Sequence, residues 1–258
     1  MTDPPSLPRK LQVEPVGRCN LKCPMCVADA GARVTTSSNL TLLDDRMACS
    51  CVTGGLDTIH VSIDAASPEV YRRIRVGADL GQTRANVERL LRARRRLGSR
   101  RPQLKLVMVL MRRNLGELPA VINLAGEMGF EGVFVQRLSH RFLEPTLPSQ
   151  LRPLRSFAKR ESLDDFDPDR LEELLTSARQ QAAALGLDIR LPRAWPLETG
   201  VVGRARCDWP WTQAYVCYDG AVLPCCMVST PDRTCLGSTR EASLSEIWRG
   251  STYQVFRQ

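Results

Sequence analysis

The sequence predicts an α/β fold: a parallel sheet or (β/α) barrel, followed by a small C-terminal β-hairpin and helix domain. Three observations carry that expectation. Residues 104–111, LKLVMVLM, form a nearly continuous apolar run, as in a parallel strand covered on both faces. Around it, from residue 57 to residue 138, strand-like and helix-like apolar periods alternate. From Cys207 onward the chain becomes cysteine-rich and its segments shorten around Asp219 and Gly220, a strong hairpin-turn pair.

Each element follows from local chemistry. Residues 1–10 are polar and proline-rich and read as a flexible arm. Leu11, Val13 and Val16 mark a first strand leading into a cysteine loop, and residues 32–36 a second. Residues 39–43 are a loop, and 44–52 a helix stopped by Gly54 and Gly55. Residues 57–64, DTIHVSID, are a strand, after which Ser67 and Pro68 suit the N-cap and first turn of a short helix. Across residues 82–97, Val87, Leu90, Leu91 and Leu97 share a helical face. Arg92, Arg94, Arg95 and Arg96 lie elsewhere, as a solvated face. Asn114 with Glu117 spells a capping box for a helix striped by Leu118, Val121, Ile122, Ala125 and Met128. Gly129 ends it, and residues 133–138 are the next strand.

The expected domains are a barrel over 11–138, a linker or lid over 139–166, a connecting helix and strand over 167–206, and a cysteine-rich domain over 207–258. In the connecting segment Asp167 and Pro168 start a helix that runs to about Leu185, and residues 187–191 form a strand. Ligand sites of such folds lie at the carboxyl ends of the strands, where the cysteine loop falls.

That loop, residues 18–26, reads RCNLKCPMC and sets Cys19, Cys23 and Cys26 at CxxxCxxC spacing. Three thiolates so close can converge on one inorganic centre, and they leave a four-iron cluster one protein ligand short. A zinc site is the rival, but such sites favour paired CxxC knuckles, and no second knuckle follows. The stretch resembles the signature of the radical S-adenosylmethionine (radical SAM) superfamily. The resemblance implies that the three cysteines hold a [4Fe-4S] cluster whose open iron chelates S-adenosyl-L-methionine. It implies reductive cleavage to methionine and a 5′-deoxyadenosyl radical, which abstracts hydrogen from a peptide or small-molecule substrate. It further implies that the backbone at Met25 meets the adenine, that Ser62 and Asp64 face the cofactor, and that Arg75 meets its carboxylate. Val135 and Gln136 would end a strand flanking the adenine. The departure lies between Cys26 and Asn39, where the family carries a helix, a strand with a glycine–glycine–glutamate-like motif and another helix. Only a dozen residues intervene here, so the barrel is expected to lack one internal unit, and a C-terminal tail is also missing from the family pattern.

The C-terminal segment, CDWPWTQAYVCYDGAVLPCC followed by Cys235 and SLSEIW, resembles the SPASM/twitch extension of the same superfamily. The resemblance implies an auxiliary iron–sulfur cluster. Cys207 and Cys225 match its ligand positions best, with Cys226 and Cys235 for the remainder. Cys217, inside the hairpin, and Cys49 and Cys51, inside a helix, read as structural thiols. A zinc-stapled hairpin is the alternative. Ser243 with Glu246 is a capping box for a helix carrying Ile247 and Trp248.

Composition narrows the classes. A chain of 258 residues with 43% hydrophobic residues can bury a large core, which excludes a disordered chain. No apolar run approaches the about 20 residues needed to span a membrane, and no signal-peptide core is present, so no membrane partner is expected and the cytoplasm is. There, ten cysteines suit metal ligands or thiols. The net charge of +8 suits an acidic electron donor such as a flavodoxin or ferredoxin, and no module for nucleic acid is present. The rival to an enzyme is a non-catalytic iron–sulfur or zinc-binding remnant that binds a partner.

Overall fold

The computed structural model describes residues 10–13, 34–138, 152–192, 208–228 and 233–258, with the single positions 8, 149 and 231. Along the chain come β1 (Lys10–Val13), β2 (Thr35–Ser38), α1 (Asp45–Thr53), β3 (Thr58–Ser62), α2 (Pro68–Ile74), α3 (Leu80–Arg96) and β4 (Gln103–Leu110). A 3-10 turn, Arg112–Glu117, leads to α4 (Leu118–Glu127), β5 (Gly132–Arg137), α5 (Arg152–Glu161), α6 (Pro168–Ala184) and β6 (Asp188–Arg190). Last come α7 (Trp209–Thr212), β7 (Gln213–Val216), β8 (Ala221–Leu223), β9 (Gly237–Ser238), α8 (Leu244–Arg249) and α9 (Ser251–Arg257). The chain divides into two compact units, Met1–Cys23 with Thr199–Gln258, and Pro24–Glu198.

In the larger unit β2, β3, β4, β5 and β6 form one parallel sheet in that order. The apolar run in β4 makes it the central strand, with Leu104, Leu106, Met108 and Leu110 all fully buried. These four, with Ile59, Val61, Val133 and Val135, pack against Leu90, Val121, Ile122, Leu171 and Leu175 of α3, α4 and α6. Burying such a side chain contributes about 2 kcal/mol, against a few tenths for an exposed ion pair, so this layer holds the unit together. The opposite face of the sheet is half-exposed and mixed in polarity, carrying His60, Ser62, Lys105, Phe134, Gln136 and Arg190. Helices on one face only is the layering of an open barrel.

Gly132 lets β6 approach β5. A Cβ there would lie 2.6 Å from the Asp188 carbonyl oxygen, and over this gap Lys105 Nζ reaches Asp188 at 2.7 Å.

Several local expectations are corrected by longer-range contacts. The second strand falls at Thr35–Ser38, not at residues 32–36. Leu97 is a half-exposed cap residue rather than part of the α3 stripe. Ser67 precedes α2 but makes no side-chain cap; its hydroxyl donates to Glu117 Oε1 at 2.8 Å. Asn114 and Glu117 do not form a capping box for α4, since both serve the β3 loop or β4 instead. Residues 139–166, expected to be irregular, contain α5.

The α5 helix is clipped to the carboxyl ends of β4 and β5. Arg113 donates from its backbone N to Glu161 Oε2 at 3.1 Å and from Nη2 to Oε1 at 2.6 Å. Arg112 donates to the Ser162 carbonyl and to Asp165, and Arg137 lies 3.4 Å from Asp164. The Phe157 ring lies under Arg113, 5.0 Å from the guanidinium carbon.

The smaller unit has the strand order β1-β7-β8-β9. The first strand therefore does not open the parallel sheet as expected; it runs parallel to β7, with Lys10 opposite Gln213 and Val13 opposite Val216. The expected hairpin is present, with Val216 opposite Val222 and Gly220 at φ +91° in the turn. Trp248 and Tyr253 are fully buried against Ala214, Val222 and Leu236. The capping box at α8 is formed: Glu246 N donates to Ser243 Oγ, and Ser243 N donates to Glu246 Oε2 at 2.8 Å. Among the described residues no helix is long and apolar enough to cross a membrane.

The Arg113 side chain holds the Glu161 carboxyl below its ordinary value of 4.5, chiefly by hydrogen bonding. A carboxylate favoured in the folded state stabilises above its unfolded pKa and loses that contribution as pH falls through its folded one. Glu161→Gln is therefore expected to be less stable than wild type above about pH 4.5, with the gap closing below it. Urea unfolding across pH measures this.

Candidate functional site

The carboxyl ends of β3 and β4 are joined by one buried carboxylate. Beyond Ile63, whose N donates to the Val107 carbonyl at 3.0 Å, the β3 chain leaves the ladder, and no further backbone partner from β3 meets Val109 N–H among the described residues. Asp64, 2% exposed, replaces it: Oδ1 accepts from Val109 N at 2.8 Å. Its Oδ2 accepts from Arg75 Nε at 2.6 Å. Arg75 closes α2, and its backbone N donates to the Tyr71 carbonyl at 2.7 Å. Only its Nε is engaged among the described residues, so both Nη groups are open to a ligand.

Two residues missed as site-builders hold this loop. Asn114, fully buried, donates from Nδ2 to the carbonyls of Asp64 and Val109, each at 2.9 Å, and accepts from Met111 N at 2.7 Å. Glu117 accepts from Ala66 N at 2.9 Å and from Ser67 N at 2.8 Å. The sequence offered no signal for the contacts of Asn114 with Asp64 and of Glu117 with Ala66 and Ser67, because these partners lie 50 or 51 positions away.

Ser62 and Gln136 flank β4 on the half-exposed face. Ser62 is opposite Val107 and Gln136 opposite Val109, in successive rows of that face. Next to them Phe134 lies opposite Val107 and carries Arg190 over its ring at 4.8 Å, with the His60 ring centroid 6.3 Å away. The structure thus brings Ser62, Asp64, Arg75 and Gln136 to one rim, the end of a parallel sheet where ligands bind. Asp64 is set there as a holder, since both its oxygens are engaged within the chain. A guanidinium fixed at Nε with its outer nitrogens open fits the carboxylate of an amino-acid-bearing cofactor.

Cys19, Cys23, Met25, Cys26 and Cys207 lie outside the described residues. In the smaller unit Cys225 follows β8, and Cys226 opens the 3-10 turn Cys226–Val228. Cys235 is exposed, and its Sγ donates to the Gly237 carbonyl at 3.3 Å. Among the described residues no three cysteine, histidine or carboxylate side chains gather as metal ligands. Cys217 is buried in the hairpin. Cys49 and Cys51 stand on α1, partly buried against the core, where burial pushes the Cys51 thiol up.

The smaller unit holds a buried cation. Arg257, 6% exposed, sits over Trp248 at 4.1 Å and Tyr253 at 4.2 Å. Its Nε donates to the Pro210 carbonyl at 2.8 Å and its Nη1 to the Trp248 carbonyl at 2.9 Å, while Nη2 is buried with no partner among the described residues. Burial pushes the Tyr253 phenol up to about 12, with Arg257 opposing and Cys225 adding to the shift.

Residues 207–258 match the SPASM family, described as an iron-sulfur cluster-binding domain. A curated relative from Pyrococcus furiosus, the tungsten-containing aldehyde ferredoxin oxidoreductase cofactor-modifying protein, is 25% identical over 245 residues. The match takes in 90% of this chain but 63% of that protein, so the chain spans less than two thirds of the relative's length. Among solved structures, Streptococcus suis SuiB bound to S-adenosylmethionine superposes with a TM-score of 0.64 at 12% identity, over 98% of this chain and 66% of that one. The structure of anSMEcpe with bound AdoMet gives 0.56 at 18% identity, over 87% of this chain and 58% of that one.

Removing the Asn114 amide leaves one buried backbone donor and two carbonyls unpaired, at about 1 kcal/mol or more each. Asn114→Ala is expected to lower unfolding stability by about 2–4 kcal/mol, measured by chemical denaturation.

Proposed function

We propose that this chain, which has the radical SAM fold and carries a SPASM domain, is a radical SAM enzyme acting on a peptide or small-molecule substrate. One observation carries the proposal: Arg75 is fixed by a buried carboxylate at the ligand rim of the sheet, in a chain whose CxxxCxxC motif supplies three thiolates. Cys19, Cys23 and Cys26 hold the catalytic [4Fe-4S] cluster, and Cys207, Cys225, Cys226 and Cys235 serve an auxiliary one. When bound, the catalytic cluster supplies the electron that splits S-adenosylmethionine into methionine and a 5′-deoxyadenosyl radical able to take a hydrogen atom from substrate.

The protein's own part is binding and orientation. Arg75 presents its outer nitrogens to the cofactor carboxylate, and Asp64 keeps that side chain from swinging away. Ser62 and Gln136 present polar groups on either side of β4, and the backbone at Met25 meets the adenine. Phe134, with Arg190 stacked on it, offers the substrate an apolar plane and a cation on the same face. A peptide is the favoured substrate, since the SuiB fold was also solved with its precursor peptide SuiA, at a TM-score of 0.61.

Anaerobically reconstituted protein, given dithionite and S-adenosylmethionine, is expected to release 5′-deoxyadenosine and methionine. The C19A/C23A/C26A variant should lose that release by at least about 100-fold. No release from the wild type, or zinc in place of iron and sulfide, would sink the proposal.

A further inference from the structure

The half-exposed face of the parallel sheet is ordered across its strands. Ser62 is opposite Val107, Val107 opposite Phe134, and Phe134 opposite Arg190. The four make one row: a hydroxyl, two apolar side chains and a guanidinium. Three strand spacings put the first and last Cα about 14 Å apart. In the preceding row Lys105 and Asp188 neutralise each other at 2.7 Å across Gly132. The Arg190 charge has no such match: its side chain is exposed, with no carboxylate partner among the described residues. An edge strand can be guarded by a charge alone, but a guarding charge points away from the sheet. This one turns inward, its guanidinium carbon 4.8 Å from the centroid of the Phe134 ring on β5. The His60 ring lies 6.3 Å from the same centroid, tilted by 59°. A guanidinium stacked on a ring keeps its N–H edge for planar, bidentate pairing.

We infer that Arg190 is the specificity-determining residue for the substrate, and that the substrate is a peptide carrying Asp or Glu beside an apolar residue. The inference rests on the proposed function, which places the substrate on this face. The apolar side chain covers Val107 and Phe134, and the neighbouring carboxylate accepts two parallel N–H bonds from the guanidinium edge. Charge favours the carboxylate over an amide of the same shape, because only the carboxylate offsets the unmatched cation. The ring beneath fixes where that carboxylate sits, so the row reads two adjacent side chains at once.

The test uses the full, anaerobically reconstituted chain, immobilised, with short peptides of randomised sequence as probe. Their ends are acetylated and amidated, so side chains supply every charge, and phosphoserine is included among the residues. Peptides retained by wild type are expected to be enriched at least about fivefold in Asp or Glu over Asn or Gln, beside an apolar residue. Arg190→Gln should abolish that enrichment and keep the wild-type circular dichroism, since the side chain is exposed. Arg84→Gln removes the same charge from α3 and should leave the enrichment as it is in wild type. No acidic enrichment by wild type, its survival in R190Q, equal loss in both variants, or phosphoserine retained in preference to both carboxylates would overturn the inference. Release of 5′-deoxyadenosine by the same preparation separates the two proposals. If release fails while the enrichment follows the expected pattern, the radical reading has failed and the Arg190 site has not; release without enrichment is the reverse.

Discussion

The larger unit turns on the Asp64 carboxylate. A parallel sheet leaves polar groups at the point where one strand departs before its neighbour, and here Val109 N–H is the group left over. Asp64 satisfies it with one oxygen and spends the other on Arg75. The same side chain thus closes the ladder and fixes a cation at its rim. Removing Arg75 leaves the buried Asp64 carboxylate without its cation, whereas Arg75, its side chain 30% exposed, keeps access to water when Asp64 is removed.

Around that carboxylate the work is divided by strength. The apolar layer beneath the sheet sets the position of every strand end, since each buried aliphatic side chain outweighs several exposed ion pairs. Asn114 and Glu117 then tie the β3 loop to the end of β4 by directional hydrogen bonds. The smaller unit is organised differently. Trp248 and Tyr253 form its core, and Arg257 lies buried over both rings with one nitrogen left without a partner among the described residues.

Much of the fold could be read in the residues because its signals are local. The β4 run, the Asp167 and Pro168 start of α6, the Asp219 and Gly220 turn and the Ser243–Glu246 box each contain their own cause. What escaped depends on partners distant in sequence. Residues 10–13 look like any short strand, and only β7 decides which sheet takes them. The helix α5 follows prolines and reads as irregular until Arg113 supplies a partner for Glu161. Asn114 and Glu117 spell a capping box, but the donors and acceptors of the β3 loop compete better for their side chains. For the candidate site, Ser62, Asp64, Arg75 and Gln136 came from the resemblance alone, and neither the hydrogen bonds of Asp64 to Val109 and Arg75 nor the stacking of Arg190 on Phe134 had a local signal.

The proposed contact of Arg75 with a cofactor carboxylate depends on Asp64, and calorimetry reads that dependence directly. S-adenosylmethionine is titrated into anaerobically reconstituted wild type and the D64N variant, with iron and sulfide matched. The expected result is saturable binding to wild type and an affinity at least about tenfold weaker in the variant. Equal affinities, or no binding to the wild type, would contradict the placement of the cofactor at this rim.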